Sequence, residues 1–176
     1  LEDTIIIEIC QKASNKGVVE AVNFNSPGQI VIAGEKNAVS HACELMKEAG
    51  AKRALVLPVS VPSHCSLMKD AASKFKTYIE SVNFKTGNVK VIHNVDADYA
   101  GDVEAIKTKL VEQLHMPVLW ASSVNKMKNS GVEKLIEVGP GKVLTGLTRR
   151  IDKSLSASAI IDVSSLKSTI EEISNA

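Results

Sequence analysis

The chain is poor in several residue types, and each shortage argues against a class of protein. Cysteine occurs three times, at widely spaced positions with no C-x-x-C pair, and aromatic residues make up only 3% of the chain. An odd number of scattered thiols argues against a disulfide framework or a zinc site and fits a reducing cytoplasm. We therefore expect a cytoplasmic protein with no bound metal.

The chain also lacks an excess of positive or negative charge. Lys and Arg number 21 against 20 Asp and Glu, which leaves a net charge of +1. The chain has no basic excess that would indicate a nucleic-acid partner and no Lys/Arg run that would indicate a membrane surface. No apolar run approaches the roughly 20 residues of a membrane span. We expect neither nucleic acid nor membrane as a partner.

What is present is the balance of a globular protein with a core, because 44% of the residues are apolar and 23% are charged. The 176 residues suffice for one ordinary domain, or for a domain with a small subdomain. The chain starts at Leu1 rather than at a methionine and shows no signal-peptide layout. This start indicates a piece of a longer protein.

Several catalytic signatures are absent as well. Residues 139–142, Gly-Pro-Gly-Lys, do not complete a phosphate loop, because Ile136 occupies the first glycine position and Val143 follows the lysine. Neither G-x-G-x-x-G nor a G-x-S-x-G nucleophile elbow occurs. Three histidines lack a companion at metal-ligand spacing and are interpreted as structural: His41, His93 and His115.

The first third of the chain predicts an α-β-β-α-β order. A helix begins near Asp3, and residues 18–33 read as a hairpin around an Asn-Ser-Pro-Gly turn. A helix over 36–49 and a strand over 54–59 follow. One further strand before residue 1 would complete a split β-α-β-β-α-β unit.

From residue 60 onward, predicted strands alternate with helices, which is typical of a parallel α/β layer. The strands are expected over 88–95, 135–138 and 157–163, and Asp102 is expected to cap a helix that reaches residue 114. Further helices are expected over 119–130 and 142–151, and Ser164 or Ser165 is expected to cap the last one.

His64 stands out chemically because it lies in a proline-stiffened turn just before a helix. Pro58 and Pro62 fix their own φ and bias the preceding residues to extended conformations. A strand-to-helix junction presents such a side chain above a rigid scaffold, and histidine moves protons near neutral pH. A capping or packing histidine remains open on these grounds. The neighbouring Cys65 is interpreted as a small buried residue rather than a nucleophile.

Three segments occur in order and carry a family resemblance. They are residues 22–29 (Val-Asn-Phe-Asn-Ser-Pro-Gly-Gln), 59–64 (Val-Ser-Val-Pro-Ser-His) and 137–147 (Glu-Val-Gly-Pro-Gly-Lys-Val-Leu-Thr-Gly-Leu). The set closely resembles the malonyl-CoA:acyl carrier protein transacylases of bacterial type II fatty-acid synthesis, over the C-terminal part of that family's length. The resemblance implies an α/β fold in two parts. Residues 1–59 would form a ferredoxin-like small subdomain lacking its first strand, and residues 60–176 the C-terminal half of an α/β-hydrolase-like acyltransferase subdomain.

The resemblance also implies a chemistry, ping-pong transfer of a malonyl group. A serine in a G-H-S-x-G elbow attacks the malonyl thioester of coenzyme A with a histidine as base, and malonate then passes to the phosphopantetheine thiol of acyl carrier protein. By motif position His64 is the base and the backbone carbonyl of Gln113 orients it. Ser63 lines the acyl pocket, and Asn25 faces the cleft for the pantetheine arm. Coenzyme A enters as a substrate, and no cofactor is implied.

The departures from the family pattern concern the rest of the site. The nucleophilic serine, the arginine that pairs with the malonyl carboxylate and the N-terminal Gly-Gln-Gly-Ser-Gln loop do not occur in this chain. We therefore expect the parent protein to be an [acyl-carrier-protein] S-malonyltransferase and this chain alone to be inactive. Its expected partners are malonyl-CoA, acyl carrier protein and the N-terminal half of its own parent chain.

Two alternatives stay open at this point. One is an acyltransferase domain of a modular polyketide synthase. The other is a non-catalytic module that binds carrier protein, and the missing nucleophile favours it.

Overall fold

The computed structural model describes residues 1–175, and the chain divides into two compact units, 1–123 and 124 onward. The helices of the chain are α1 (Asp3–Ala13), α2 (Lys36–Glu48), α3 (Lys69–Glu80), α4 (Val103–Glu112), α5 (Trp120–Asn129), α6 (Val143–Ile151) and α7 (Val163–Ser174). The strands are β1 (Val19–Ser26), β2 (Gln29–Gly34), β3 (Ile92–His93), β4 (Asp98–Tyr99), β5 (Lys134–Val138) and β6 (Ser156–Ile160). The predicted mixed α/β class is therefore confirmed. The ferredoxin-like and acyltransferase assignments, and the predicted boundary at residue 59, stay predictions.

The core of the first unit forms where α1 and α2 pack on the β1–β2 hairpin. Apolar residues at helical spacing on α1 and α2 turn one face of each helix inward. The buried members of this core are Ile6, Ile9, Cys10, Ala13, Val19, Ala38, Ala42 and Met46. Ala51 and Ala54 pack against its edge, so this core lies entirely within the first 54 residues.

The β1–β2 hairpin confirms the strand–turn–strand prediction for residues 18–33. Its strands run antiparallel, with Val19 opposite Gly34 and Ser26 opposite Gln29. The turn is Pro27-Gly28, and Gly28 has a φ of +72°, which a glycine adopts without steric cost. On its other edge β1 is tied to Val118 by a parallel bridge at Asn23.

The strand predicted over 54–59 is wrong. Within the described part of the chain, the sheet that contains β1 has two strands and residues 54–59 belong to none. A strand needs a neighbour to accept and donate its backbone hydrogen bonds. In the split β-α-β-β-α-β unit the expected neighbour is the strand that the prediction placed before residue 1. In the described part of the chain no residue pairs with 54–59 as a strand, and the Val59 amide donates instead to the Leu57 carbonyl at 2.8 Å.

The strand predicted over 88–95 is mostly wrong as well. Only Ile92–His93 pairs, and its partner is β4, antiparallel, rather than a strand of a parallel layer. Lys109 of α4 fixes this small hairpin, since its Nζ lies 2.7 Å from Asp96 Oδ2 and donates to the Tyr99 carbonyl at 2.6 Å. The predicted cap of α4 is confirmed, because the Asp102 side chain accepts from the Ala105 amide.

The second unit contains a β-α-β crossover followed by a helix. Strands β5 and β6 pair in parallel from Lys134 opposite Ser156 onward, and α6 connects them. The predicted serine cap of α7 is corrected: Asp162 is the N-cap, and its carboxylate accepts from the Ser165 amide at 2.7 Å. Ser165 instead closes the reciprocal half of the capping box, because its hydroxyl accepts from the Asp162 amide. Among residues 1–175 no helix combines the length and apolarity that a membrane crossing requires.

Candidate active site

His64 occupies an unusual backbone conformation. Its φ is +64°, in the left-handed region, which costs a residue with a side chain about 1–2 kcal/mol. The local turn accommodates this conformation, since the Ser63 amide donates to Val61 at 2.9 Å and the Cys65 amide to Pro62 at 3.3 Å. Strain of this kind persists only where the surroundings over-determine it, and it concentrates at functional sites.

The imidazole of His64 is oriented by a backbone carbonyl. Its Nδ1 lies 2.5 Å from the carbonyl oxygen of Gln113, 49 residues further along the chain. A carbonyl oxygen only accepts, so Nδ1 carries the proton and Nε2 keeps its lone pair for accepting another. The ring is half-buried, and the structure brings together the two residues for which the sequence predicted a joint role.

The end of α4 supplies both contacts to His64. The helix ends at Glu112, and the carbonyls of Gln113 and Leu114 follow directly. Gln113 accepts from the ring, and Leu114 accepts from the His64 backbone amide at 3.1 Å. Carbonyls at a helix C-terminus lack intrahelical partners and form the negative end of the helix dipole. This end favours positive charge on the ring, although it carries no full charge as a carboxylate would.

The residues after His64 are anchored to β1 by a carboxylate that sequence reasoning missed. Glu20 Oε2 accepts from the Ser66 amide at 2.8 Å, and Oε1 accepts from the Ser66 hydroxyl at 2.5 Å. Burial opposes ionisation of Glu20, but the hydrogen bonds from Ser66 and Cys65 outweigh it and lower the pKa of the carboxyl. The available signal was the single acidic residue of β1, placed between Val19 and Ala21.

Cys65 is fully buried between these contacts, as the sequence predicted. Burial raises the pKa of its thiol, with the nearby Glu20 carboxylate acting in the same direction. A thiol with a raised pKa is a poor nucleophile because little of it ionises near neutral pH. This environment supports the interpretation of Cys65 as a packing residue beside the candidate base.

The two predicted substrate residues lie on different elements. Ser63 precedes His64 in the same turn and is exposed. Asn25 is half-buried near the end of β1, where the β1–β2 register is irregular. Within the described residues no hydrogen bond joins Asn25 to His64 or Gln113. Their predicted contacts with the acyl group and the pantetheine arm stay predictions.

The N-terminus of α6, which follows the glycine-rich turn at 139–141, is occupied by a carboxylate of the chain itself. Glu137 Oε2 accepts from both the amide and the hydroxyl of Thr145 at 2.8 Å. Burial disfavours the charged form, but hydrogen bonds from the first turn of α6 outweigh it and lower the pKa of Glu137. The carboxylate lies where a phosphate would bind, which supports rejecting a phosphate loop. In the described chain no group of three or more His, Cys, Asp or Glu side chains could hold a metal ion.

Comparison with known proteins points to one class, the transacylases that act with acyl carrier protein. Over 171 residues the chain is 52% identical to malonyl CoA-acyl carrier protein transacylase of Escherichia coli K12, covering 97% of this chain and 55% of the relative. An acyl carrier protein S-malonyltransferase from Vibrio cholerae O1 has a solved structure with 54% identity and a TM-score of 0.93, covering 96% of this chain and 55% of that one.

A third neighbour is a solved complex of a type II PKS acyl-carrier protein with its malonyl-transacylase. The TM-score is 0.96 at 48% identity, over 98% of this chain and 56% of that one. No protein-family model matches the chain. The resemblance predicted from the three motifs is confirmed: the chain matches a C-terminal portion of malonyl-CoA:acyl carrier protein transacylases. It spans about half the length of the curated relatives it matches.

Proposed function

We propose that this chain is part of an [acyl-carrier-protein] S-malonyltransferase. The enzyme moves a malonyl group from coenzyme A to the phosphopantetheine thiol of acyl carrier protein. The proposal is supported by the names of relatives that align over almost the entire chain. One observation carries it: a left-handed histidine whose Nδ1 lies 2.5 Å from a backbone carbonyl.

In the proposed mechanism His64 acts as the general base. Nε2 removes the proton of a serine hydroxyl, the serine oxygen attacks the malonyl thioester, and the proton then passes to the departing thiolate of coenzyme A. The second half runs in reverse, with the carrier-protein thiol as nucleophile. The backbone carbonyl of Gln113 keeps a proton on Nδ1 of His64 throughout. The serine and the groups that stabilise the oxyanion lie outside this chain, so the chain alone is inactive.

The remaining predicted roles belong to the same proposal. Ser63 lines the malonyl pocket beside His64, and Asn25 faces the arm of coenzyme A or of the carrier protein. The substrates are malonyl-CoA and acyl carrier protein. Coenzyme A is a substrate, no resident cofactor takes part, and the reaction takes place in the cytoplasm.

The missing half of the protein is itself a proposed partner. Four apolar side chains in the segment that was predicted as a strand are more than half exposed: Leu55, Val56, Leu57 and Val59. Exposure of neighbouring apolar side chains is typical of a surface that another part of a protein covers. We propose that the N-terminal half of the parent chain covers it.

The test uses the full-length protein that contains this chain. Malonyl transfer from malonyl-CoA to holo acyl carrier protein is measured for the wild type and for His64→Ala. Loss of the general base lowers the rate by about 10²–10⁴-fold. His41→Ala serves as the matched control: His41 lies on α2, with its Nδ1 3.8 Å from Glu44 Oε2, and this variant should retain wild-type transfer.

Two outcomes would contradict the proposal. A His64→Ala protein that transfers malonate at the wild-type rate would remove His64 from the mechanism. A folded wild-type protein that binds carrier protein but transfers nothing would favour the binding module instead.

A further inference from the structure

We propose that Glu20 is a positioning residue for the base, which fixes His64 by anchoring the two residues that follow it. The inference rests on the proposed function and extends it to a strand residue outside the three recognised motifs. Glu20 touches neither substrate nor the imidazole in this proposal; it acts through Cys65 and Ser66.

The anchor consists of two short hydrogen bonds to one residue. Ser66 begins a 3₁₀ turn, Ser66–Met68, that leads into α3. Its amide has no intrahelical partner, and Glu20 accepts from that amide and from the hydroxyl of the same residue. A carboxylate acceptor makes such bonds about twice as strong as neutral ones. Ser66 is therefore held to β1 at two points, two residues beyond His64.

The opposite side of His64 is held by a different element. The carbonyls of Gln113 and Leu114 at the end of α4 receive the ring and the backbone amide of His64. The loop that carries the base is thus clamped between α4 on one side and β1 on the other. The α4 side receives both the ring and the backbone amide of His64, and the β1 side holds the backbone two residues further on.

The two sides of this clamp are joined to each other independently of the loop. Val118, four residues after Leu114, donates from its amide to Val22 at 2.8 Å and accepts from the Phe24 amide at 2.9 Å. Strand β1 and the segment after α4 therefore form one backbone-bonded frame. A left-handed residue needs such over-determination, and Glu20 supplies the contact from the β1 side.

The consequence for catalysis follows from the geometry. Without Glu20 the Cys65–Ser66 segment loses its side-chain anchor, and His64 is held from α4 only. A shift of about 1 Å in a catalytic group costs up to about 100-fold in rate. Substrate binding does not depend on Nε2 in this mechanism, so the loss should fall on kcat rather than on KM.

The experiment compares full-length variants by rapid-quench formation of the malonyl-enzyme from malonyl-CoA. Glu20→Ala should lower the acylation rate about 10-fold with KM within about twofold of wild type. Ser66→Ala should lower the acylation rate less, because the hydrogen bond from the Ser66 backbone amide to Glu20 remains. Glu20→Gln keeps the shape of the side chain without its charge, and its acylation rate should lie between those of Glu20→Ala and Ser66→Ala.

The matched control is Glu35→Gln. Glu35 is a second carboxylate of this unit that accepts from a backbone amide, that of Val18, but it makes no hydrogen bond to residues 64–66. Its acylation rate should equal that of the wild type. A readout independent of turnover is the Nδ1 proton signal of His64 in nuclear magnetic resonance, which should shift or broaden in Glu20→Ala and not in Glu35→Gln.

The proposed function and the positioning role of Glu20 would be contradicted by different results. An inactive wild type would overturn the proposed function, and the His64 signal would then decide the role of Glu20 alone. An active wild type in which Glu20→Ala and Glu20→Gln lower thermal stability but leave acylation and the His64 signal unchanged would overturn the positioning role. If Glu20→Ala fails to fold, Ser66→Ala and Glu20→Gln carry the same test.

Discussion

At the scale of single residues, the pair His64 and Gln113 shows what a backbone contact means for mutagenesis. The acceptor is the main-chain carbonyl of Gln113, which every residue possesses. Gln113→Ala in the full-length protein should therefore keep malonyl transfer within about threefold of wild type, whereas His64→Ala should not. Steady-state transfer to holo carrier protein measures both. A large loss in Gln113→Ala would mean that the side chain itself takes part.

Asp152 gives a residue-scale prediction for pH. Hydrogen bonds from Lys128 and Ser154 lower its pKa from 3.8 to about 2. Because the folded-state pKa is depressed, its stabilising effect is full above pH 3.8 and is lost as the pH falls towards 2. Asp152→Asn should flatten the acid-unfolding curve of the full-length protein in that window. Glu171→Gln, an exposed site on α7, is the control. An unchanged curve in Asp152→Asn would contradict the assignment.

Most of the site could be predicted only through the family resemblance. Nothing in residue spacing connects His64 to a residue 49 positions away, because their contact depends on how α4 ends. Glu20 escaped prediction for a related reason. Its partner Ser66 lies beyond α2 and segment 54–61, and no local pattern indicates that β1 passes beside it.

At the scale of elements, the start of α6 depends on a residue from β5. Glu137 caps the first turn of the helix through Thr145, across the Gly-Pro-Gly turn. Glu137→Ala should cost about 1 kcal/mol of unfolding free energy, the usual loss for a removed helix cap. Thermal unfolding of the full-length protein measures it, with Glu133→Ala, just before β5, as the control. Equal melting temperatures for the two variants would show that the cap contributes nothing.

Helices and hairpins were predictable here because their hydrogen bonds are local. The β1–β2 hairpin and the helix between Lys36 and Gly50 lie within a residue or two of their predicted bounds. The strands predicted for segments 54–59 and 88–91 do not form, because a strand depends on a pairing partner that local sequence does not specify. Four valines of these two segments are more than half exposed: Val56, Val59, Val89 and Val91.

That mismatch leads to an element-scale prediction about hydrogen exchange. The proposed pairing with a strand from the N-terminal half predicts that the amides of residues 55–57 and 59 exchange slowly in the full-length protein. In the isolated 176-residue chain the same amides should exchange at rates close to those of an unfolded peptide. Peptide-level exchange with mass spectrometry compares the two. Equal, fast exchange in both would contradict the proposed pairing.

At the scale of the whole molecule, the chain carries the proposed base, His64, but not the serine that this base would activate. It also exposes apolar surface on both units, from Leu55 in the first to Val138 and Val163 in the second. We expect the isolated chain to aggregate, or to become soluble and active only when the N-terminal half is supplied. A cooperative, monomeric melt of the isolated chain would contradict this expectation.

The central claim is that His64 is the base of a covalent malonyl transfer. The most direct measurement is the amount of malonyl-enzyme formed in one turnover when the full-length protein is mixed with malonyl-CoA and quenched. The account predicts close to one malonyl group per wild-type molecule within the first turnover, and almost none over the same time in a folded His64→Ala protein. Equal acylation in both proteins would contradict the claim.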